Sequence, residues 1–188
     1  MPPLLSLRYL FCLDPNPSIL YMTVIAINLI PIASSSKHSS TWKVIMSKGH
    51  KITRKLKAIL SADVKGYSLL MSDDEVLTLK TLDEYKNIMS ELITSNSGRV
   101  VDAVGDNVLA EFSSAVDAVG CAIKVQARLK KENSKYADHR KLKFRIGINI
   151  GDVIHDGDRI VGEGVNIAAR IEALADAGGI CISRNTYD

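Results

Sequence analysis

Two aspartates stand out by where they sit. Asp63 closes a short apolar run, Ala58, Ile59, Leu60, Ser61, Ala62, that reads as a buried strand. Asp106 lies at the tip of a turn, Gly105, Asp106, Asn107, between two β-rich runs at 99–104 and 108–112. All three turn residue types tolerate positive φ, so a tight hairpin is expected. If the strand lies beside that hairpin, both carboxylates reach one end of the sheet, where they could share divalent ions through oxygen ligands. Such a pair suits two-metal catalysis on a phosphate. Gly66, Tyr67 and Ser68 follow closely, and a glycine turn there could aim backbone N–H groups at phosphate oxygens. Taken singly, the two acids also fit a capping aspartate and a turn aspartate. Their joint placement is what points to chemistry.

A second pair is Asn166 and Arg170, four residues apart on a helix expected over 164–175. They share a face, while Ile167, Ile171 and Leu174 form the apolar stripe. An amide and a guanidinium on one face could hold a ribose and an anionic phosphorus centre; an ordinary exposed polar face fits the same residues. Gly157, Gly162 and Gly164, with Asp156, Asp158 and Arg159, make a flexible turn before that helix. No GK[ST] follows it, so it is not a Walker A loop, and no GxGxxG occurs for a dinucleotide. The histidines, His38, His50, His139 and His155, lack metal-ligand spacing, and no Ser, His and Asp constellation announces a hydrolase.

These residues need a frame. Ser72 and Glu75 read as a capping box for a helix over 73–94, with Val76, Leu79, Leu82, Tyr85, Met89 and Leu92 at helical spacing. Ser114 and Asp117 open a second helix that carries Ala115, Ala118, Val119, Ala122, Ile123 and Leu129 inward. Residues 142–150 alternate, with Phe144, Ile146 and Ile148 on one face; a further strand begins at Val153, and a last one covers 179–183. The order strand, helix, strand, strand, helix, strand, strand, helix, strand predicts an α+β sheet covered by helices.

The chain has 188 residues, 46% of them apolar and 24% charged, which allows one domain plus an appendage and excludes collagen-like, coiled-coil and largely disordered classes. Outside the first 46 residues lie all but Arg8, Lys37 and Lys43 of the basic side chains and all but Asp14 of the acidic ones. That near balance gives no global basic field, so nucleic acid is not an expected partner. The basic stretch 130–143 has Tyr136 as its one aromatic and reads as a solvated loop. Cys12, Cys121 and Cys181 indicate neither a disulfide framework nor a zinc knuckle and read as reduced structural thiols. An apolar run at 19–32, broken by Asn28 and Pro31, is short for a membrane span. Residues 1–45 therefore read as an atypical segment, either an over-extended start before Met46 or an apolar anchor or export segment. Residues 46–56 read as a basic linker, and 57–188 as the domain. Membrane association is not expected, and the domain is expected in the cytoplasm.

Four motifs, LSADVKGYS (60–68), VGDNVLAEF (104–112), FRIGINIGDV (144–153) and GEGVNIAARIEAL (162–174), occur in this order and resemble the catalytic domain of bacterial class III adenylate/guanylate cyclases. The resemblance covers roughly 54–188. It implies a ferredoxin-like α+β domain with a mostly antiparallel sheet covered by helices, and an activity that converts ATP or GTP to a 3′,5′-cyclic nucleotide and pyrophosphate. Asp63 and Asp106 match the family's metal-binding aspartates for two Mg²⁺ or Mn²⁺ ions, with the Val64 carbonyl as a further ligand. Asn166 and Arg170 match the pair that orients the ribose and stabilises the transition state, supplied by the partner subunit of a homodimer. The family's base-selecting positions fall at Asp102 and Arg159, with charge reversed at both, which leaves ATP against GTP open. Family members continue beyond the equivalent of Asp188, so a C-terminally incomplete sheet with an exposed edge is expected. The rival readings are a catalytically degenerate nucleotide-binding module and a dimerising interaction domain.

Overall fold

The computed structural model describes residues 8–13, 22–27 and 53–188. The expected start at Met46, most of the linker and parts of the 19–32 run lie outside them. The strands are β1 (Arg8–Leu13), β2 (Met22–Ile27), β3 (Thr53–Val64), β4 (Gly98–Asp102), β5 (Val108–Phe112), β6 (Phe144–Asp156), β7 (Arg159–Val161) and β8 (Ile180–Ser183). The helices are α1 (Tyr67–Asp73), α2 (Glu75–Ser95), α3 (Ala115–Asn133), α4 (Glu163–Leu174) and α5 (Arg184–Tyr187). Strands run in the order β2-β1-β8-β6-β3-β5-β4, with β7 paired to β6. All these pairs are antiparallel except β6 with β8, which α4 connects as a crossover. The α+β expectation holds.

Strand alternation assigns the two faces of the sheet. Ala58, Leu60, Ala62 and Val64 of β3 join Val108, Ala110 and Phe112 of β5 and Phe144, Ile146 and Ile148 of β6 in one cluster. Leu82, Tyr85, Met89 and Ile93 of α2 and Ala118, Cys121, Ala122, Val125 and Leu129 of α3 cover it. Each large side chain fully buried there contributes about 1.5–3 kcal/mol. On the opposite face Ile59, Val153 and Ile160 meet Ala168 of α4.

Several expected boundaries move for local reasons. The first helix is two helices, because the Asp74 carboxylate caps α2 by accepting from Leu77 N–H at 3.0 Å, while Ser72 donates back to the Ser68 carbonyl inside α1. Val76 and Ile123 face solvent. β6 is one strand of 13 residues rather than two, paired with β3 from Thr53 to Val64. β1 pairs with β8 from Leu10 to Leu13. Cys121 is a free buried thiol. Cys181 is disulfide-bonded, contrary to the reading of reduced structural thiols.

One close approach positions α4. A Cβ added at Gly147 of β6 would lie 2.2 Å from the Glu172 backbone nitrogen and 2.4 Å from the Ala168 carbonyl oxygen, so helix and strand meet backbone to backbone. Asn149, buried on the same face, donates to the Gly164 carbonyl at 3.1 Å. Gly147→Ala is expected to lower the unfolding free energy in urea denaturation by about 1–3 kcal/mol, the usual range for overpacking. Gly120→Ala in α3, where an added methyl meets nothing within 4 Å, should instead stabilise by up to about 1 kcal/mol.

Candidate active site

The β3–β6 register sets Asp63 directly opposite Arg145. Arg145 Nη2 reaches Asp63 Oδ2 at 2.6 Å and Glu172 Oε1, on α4, at 3.1 Å. Its Nη1 donates to the Ala173 carbonyl at 3.4 Å. Glu172 is 7% exposed at its side chain, and its second oxygen accepts from the Ser61 hydroxyl at 3.4 Å. Strand alternation places Ser61, Asp63 and Arg145 on the face that α4 covers, so one guanidinium bridges strand and helix.

Asp106 comes to this place from the β4–β5 turn. Asn107 N–H closes the turn on the Val104 carbonyl at 3.2 Å, and Gly105 takes φ +59. Lys86 of α2 holds the turn from outside, its ammonium donating to the Ala103 carbonyl at 2.7 Å and to the Gly105 carbonyl. The Asp106 carboxyl is close enough to Asp63 to feel its charge. Burial first, and then Asp63, push it above the ordinary carboxylate range, while its own backbone N–H and Lys86 pull the other way. Tyr67 is close enough that Asp106, after burial, raises the phenol. Val64 ends β3 with its side chain buried, and Gly66, at φ 75, turns the chain into α1, whose first N–H groups receive no side-chain cap. Asp63, Val64, Gly66, Tyr67 and Asp106 are therefore brought together at one sheet end, with Ser68 beside them in the first turn of α1.

The second expected pair is not brought to this carboxylate site by its own chain. Asn166 and Arg170 lie on the exposed side of α4, and Arg170 pairs with Glu163 at 3.5 Å, both about 70% exposed. The helix turns Gly164, Ala168, Ile171 and Glu172 to the sheet, while Leu174, expected in the apolar stripe, is exposed. Asp102 ends β4 in solvent, accepting from Ala103 N–H at 2.8 Å. Arg159 opens β7, also exposed, opposite Asp156. A cluster that the sequence did not suggest braces these edges: Arg99 donates to Glu111 of β5 at 3.1 Å and to the Asp158 carbonyl at 3.1 Å, while His155 Nε2 lies 2.9 Å from the other Glu111 oxygen without making a hydrogen bond to it.

The donor set fits hard divalent cations. Burial, and then Asp63, raise the proton affinity of Asp106, a condition that a bound cation relieves. Among the described residues no group of three or more His, Cys, Asp and Glu could hold a metal on its own. Mg²⁺ is commonly held by one or two carboxylates plus substrate phosphates, which matches Asp63 and Asp106 with the Val64 carbonyl.

Residues 53–188 match the profile of the adenylate and guanylate cyclase catalytic domain family, and the chain belongs to that family. It is 44% identical over 138 residues to putative adenylate cyclase 3 of Rhizobium meliloti, covering 73% of this chain and 24% of that relative. The chain thus spans about a quarter of that relative's length. Its fold matches an adenylate/guanylate cyclase/hydrolase from Silicibacter pomeroyi with TM-score 0.68 and 36% identity, over 73% of this chain and 80% of that one. The adenylyl cyclase CyaB from P. aeruginosa matches with TM-score 0.64 and 28% identity, over 73% and 81%.

Burial, and then Asp63, push Glu172 up to about 7, against Arg145 and Ser61. A carboxyl that holds its proton more tightly when folded favours the folded state below the ordinary value of 4.5, and that contribution is lost as pH rises towards about 7. In chelator, wild-type stability is expected to fall across this window relative to Glu172→Gln by up to ~1.4 kcal/mol per pH unit. Urea denaturation of both proteins across the window checks it, and parallel profiles would contradict it.

Proposed function

We propose that this chain is a nucleotide cyclase that converts ATP or GTP to the 3′,5′-cyclic nucleotide and pyrophosphate. The observation that carries this reading is the pairing of Asp63 and Asp106 at the end of β3 in a domain of the cyclase family. Asp63, Asp106 and the Val64 carbonyl would hold two Mg²⁺ or Mn²⁺ ions, which when bound would neutralise charge at the phosphates and acidify the attacking hydroxyl. The ribose 3′-oxygen gives its proton to solvent and attacks the α-phosphorus in line, and the bond from that phosphorus to the bridging oxygen breaks as pyrophosphate leaves. The uncapped N–H groups around Gly66, Tyr67 and Ser68 take phosphate oxygens. Asn166 orients the ribose, and Arg170 stabilises the charge that develops on the phosphorus centre.

The site is shared between two copies of the chain. Supporting this, Asn166 and Arg170 face solvent, while the near side of the same helix is sealed onto the sheet by Glu172 and Arg145. A second copy can bring its Asn166 and Arg170 to the carboxylates of the first. Asp102 and Arg159 are the base-selecting positions, and the domain works in the cytoplasm, where nucleoside triphosphates are available. The reversed charges at those two positions favour one other reading, a nucleotide-binding module without turnover.

Cyclic nucleotide and pyrophosphate formation from ATP and from GTP, with Mg²⁺ or Mn²⁺ and across protein concentrations, is the direct test. Specific activity should rise with protein concentration. Metal-dependent nucleotide binding with no product would favour the binding module. Asp63→Ala should abolish turnover without unfolding the domain, and Arg170→Ala should cost at least about 2.7–4 kcal/mol of transition-state stabilisation. Mixing the two inactive variants should restore one working site per heterodimer, and confirmed heterodimers that stay inactive would refute the shared site.

A further inference from the structure

Arg145 is in contact with both a carboxylate of the proposed metal pair and a carboxylate outside it. Nη2 is shared between Asp63 Oδ2 at 2.6 Å and Glu172 Oε1 at 3.1 Å. Its side chain is 15% exposed, Nη1 is fixed on the Ala173 carbonyl, and Nε is buried without a hydrogen-bond partner. A guanidinium so enclosed has one orientation. Glu172 cannot retreat from it, because its backbone lies against Gly147 and Ser61 takes its second oxygen.

We propose that Arg145 is a positioning residue of the metal site: held by Glu172, it fixes one oxygen of Asp63 and occupies, with its own charge, the gap between Asp63 and Glu172, so that a divalent ion is confined to the Asp63–Asp106 side. The inference rests on the cyclase reading. A planar fork can hold two carboxylates at fixed angles, whereas an ammonium is a point charge on a flexible stem. Without the guanidinium, Asp63 and Glu172 would face each other as an additional oxygen pair able to draw a cation away from Asp106. Losing a positive charge strengthens the field that attracts the ion, while losing the orientation misplaces it. Binding and turnover should therefore separate.

The experiment compares wild type, Arg145→Gln, Arg145→Lys and the double variant Arg145→Gln/Glu172→Gln in the full chain. Mn²⁺ binding is followed by the loss of the free-ion electron paramagnetic resonance signal, and turnover is measured at saturating Mn²⁺ with ATP and GTP. Arg145→Gln is expected to bind Mn²⁺ at least as tightly as wild type while turnover falls roughly 10- to 100-fold, the usual cost of losing a residue that orients a metal ligand. Arg145→Lys should fall between them. The double variant removes the buried charge imbalance, so it keeps the fold if the single variant does not, and its turnover should remain low.

Wild-type turnover in the double variant would mean that Arg145 only neutralises Glu172, and would overturn the proposal. So would Mn²⁺ affinity that drops in step with turnover, or unchanged turnover in folded Arg145→Gln. A wild-type chain that neither binds Mn²⁺ nor forms cyclic nucleotide would defeat the cyclase reading itself, a result separate from these.

Discussion

The contact on which the rest depends is the meeting of α4 and β6 without side chains between them. At Gly147 the strand presents only hydrogen, and the helix backbone from Ala168 to Glu172 settles into that space. The close seat brings a glutamate of the helix to the sheet surface, within reach of an arginine two residues before the glycine on the same strand face. That arginine in turn fixes an aspartate across the β3–β6 pair. The chain of causes runs from a missing methyl group to the orientation of a carboxylate. Asn149 and its bond to Gly164 hold the same seam at its other end.

Charge balance at the site is uneven by design of the fold. Two carboxylates, Asp63 and Glu172, share a single guanidinium, and Asp106 stands near Asp63 with the Lys86 ammonium committed to the turn carbonyls beside it. The outer side of α4 has the opposite character, with Arg170 held only by an exposed glutamate that an anionic ligand can displace. One helix thus contributes to a buried carboxylate network on one side and offers a loosely held cation on the other.

Much of this was legible in the sequence. The apolar run ending at Asp63, the turn carrying Asp106 and the cap at Ser114 each follow from local chemistry, and the structure keeps them. The errors were also local: Asp74 outcompetes Ser72 as a cap because its carboxylate reaches Leu77, and Gly151 and Asp152 looked like a break in a strand that runs straight through them. Arg145 and Glu172 escaped notice because each looks solvent-facing in its own element. Arg145 alternates with Phe144 and Ile146, and Glu172 adjoins the apolar Ile171. The available signal was the rest of that strand face, Gly147, Asn149 and Gly151, which is too small and polar to be either core or ordinary surface. Such a face implies a backbone lying against it, and a charge at its end is then buried rather than free.

The twelve-residue pairing of β3 with β6 carries a consequence for how the chain finds its shape. Sliding one strand by a single residue would exchange the two faces, sending Arg145 in among the leucines and aromatics under α2 and α3 and turning Phe144 and Ile146 towards α4. An arginine without its acids in that interior is intolerable, so Arg145 also polices strand alignment during assembly. Variation at these positions is therefore screened twice, once by what the finished domain can do and earlier by how many chains arrive correctly threaded.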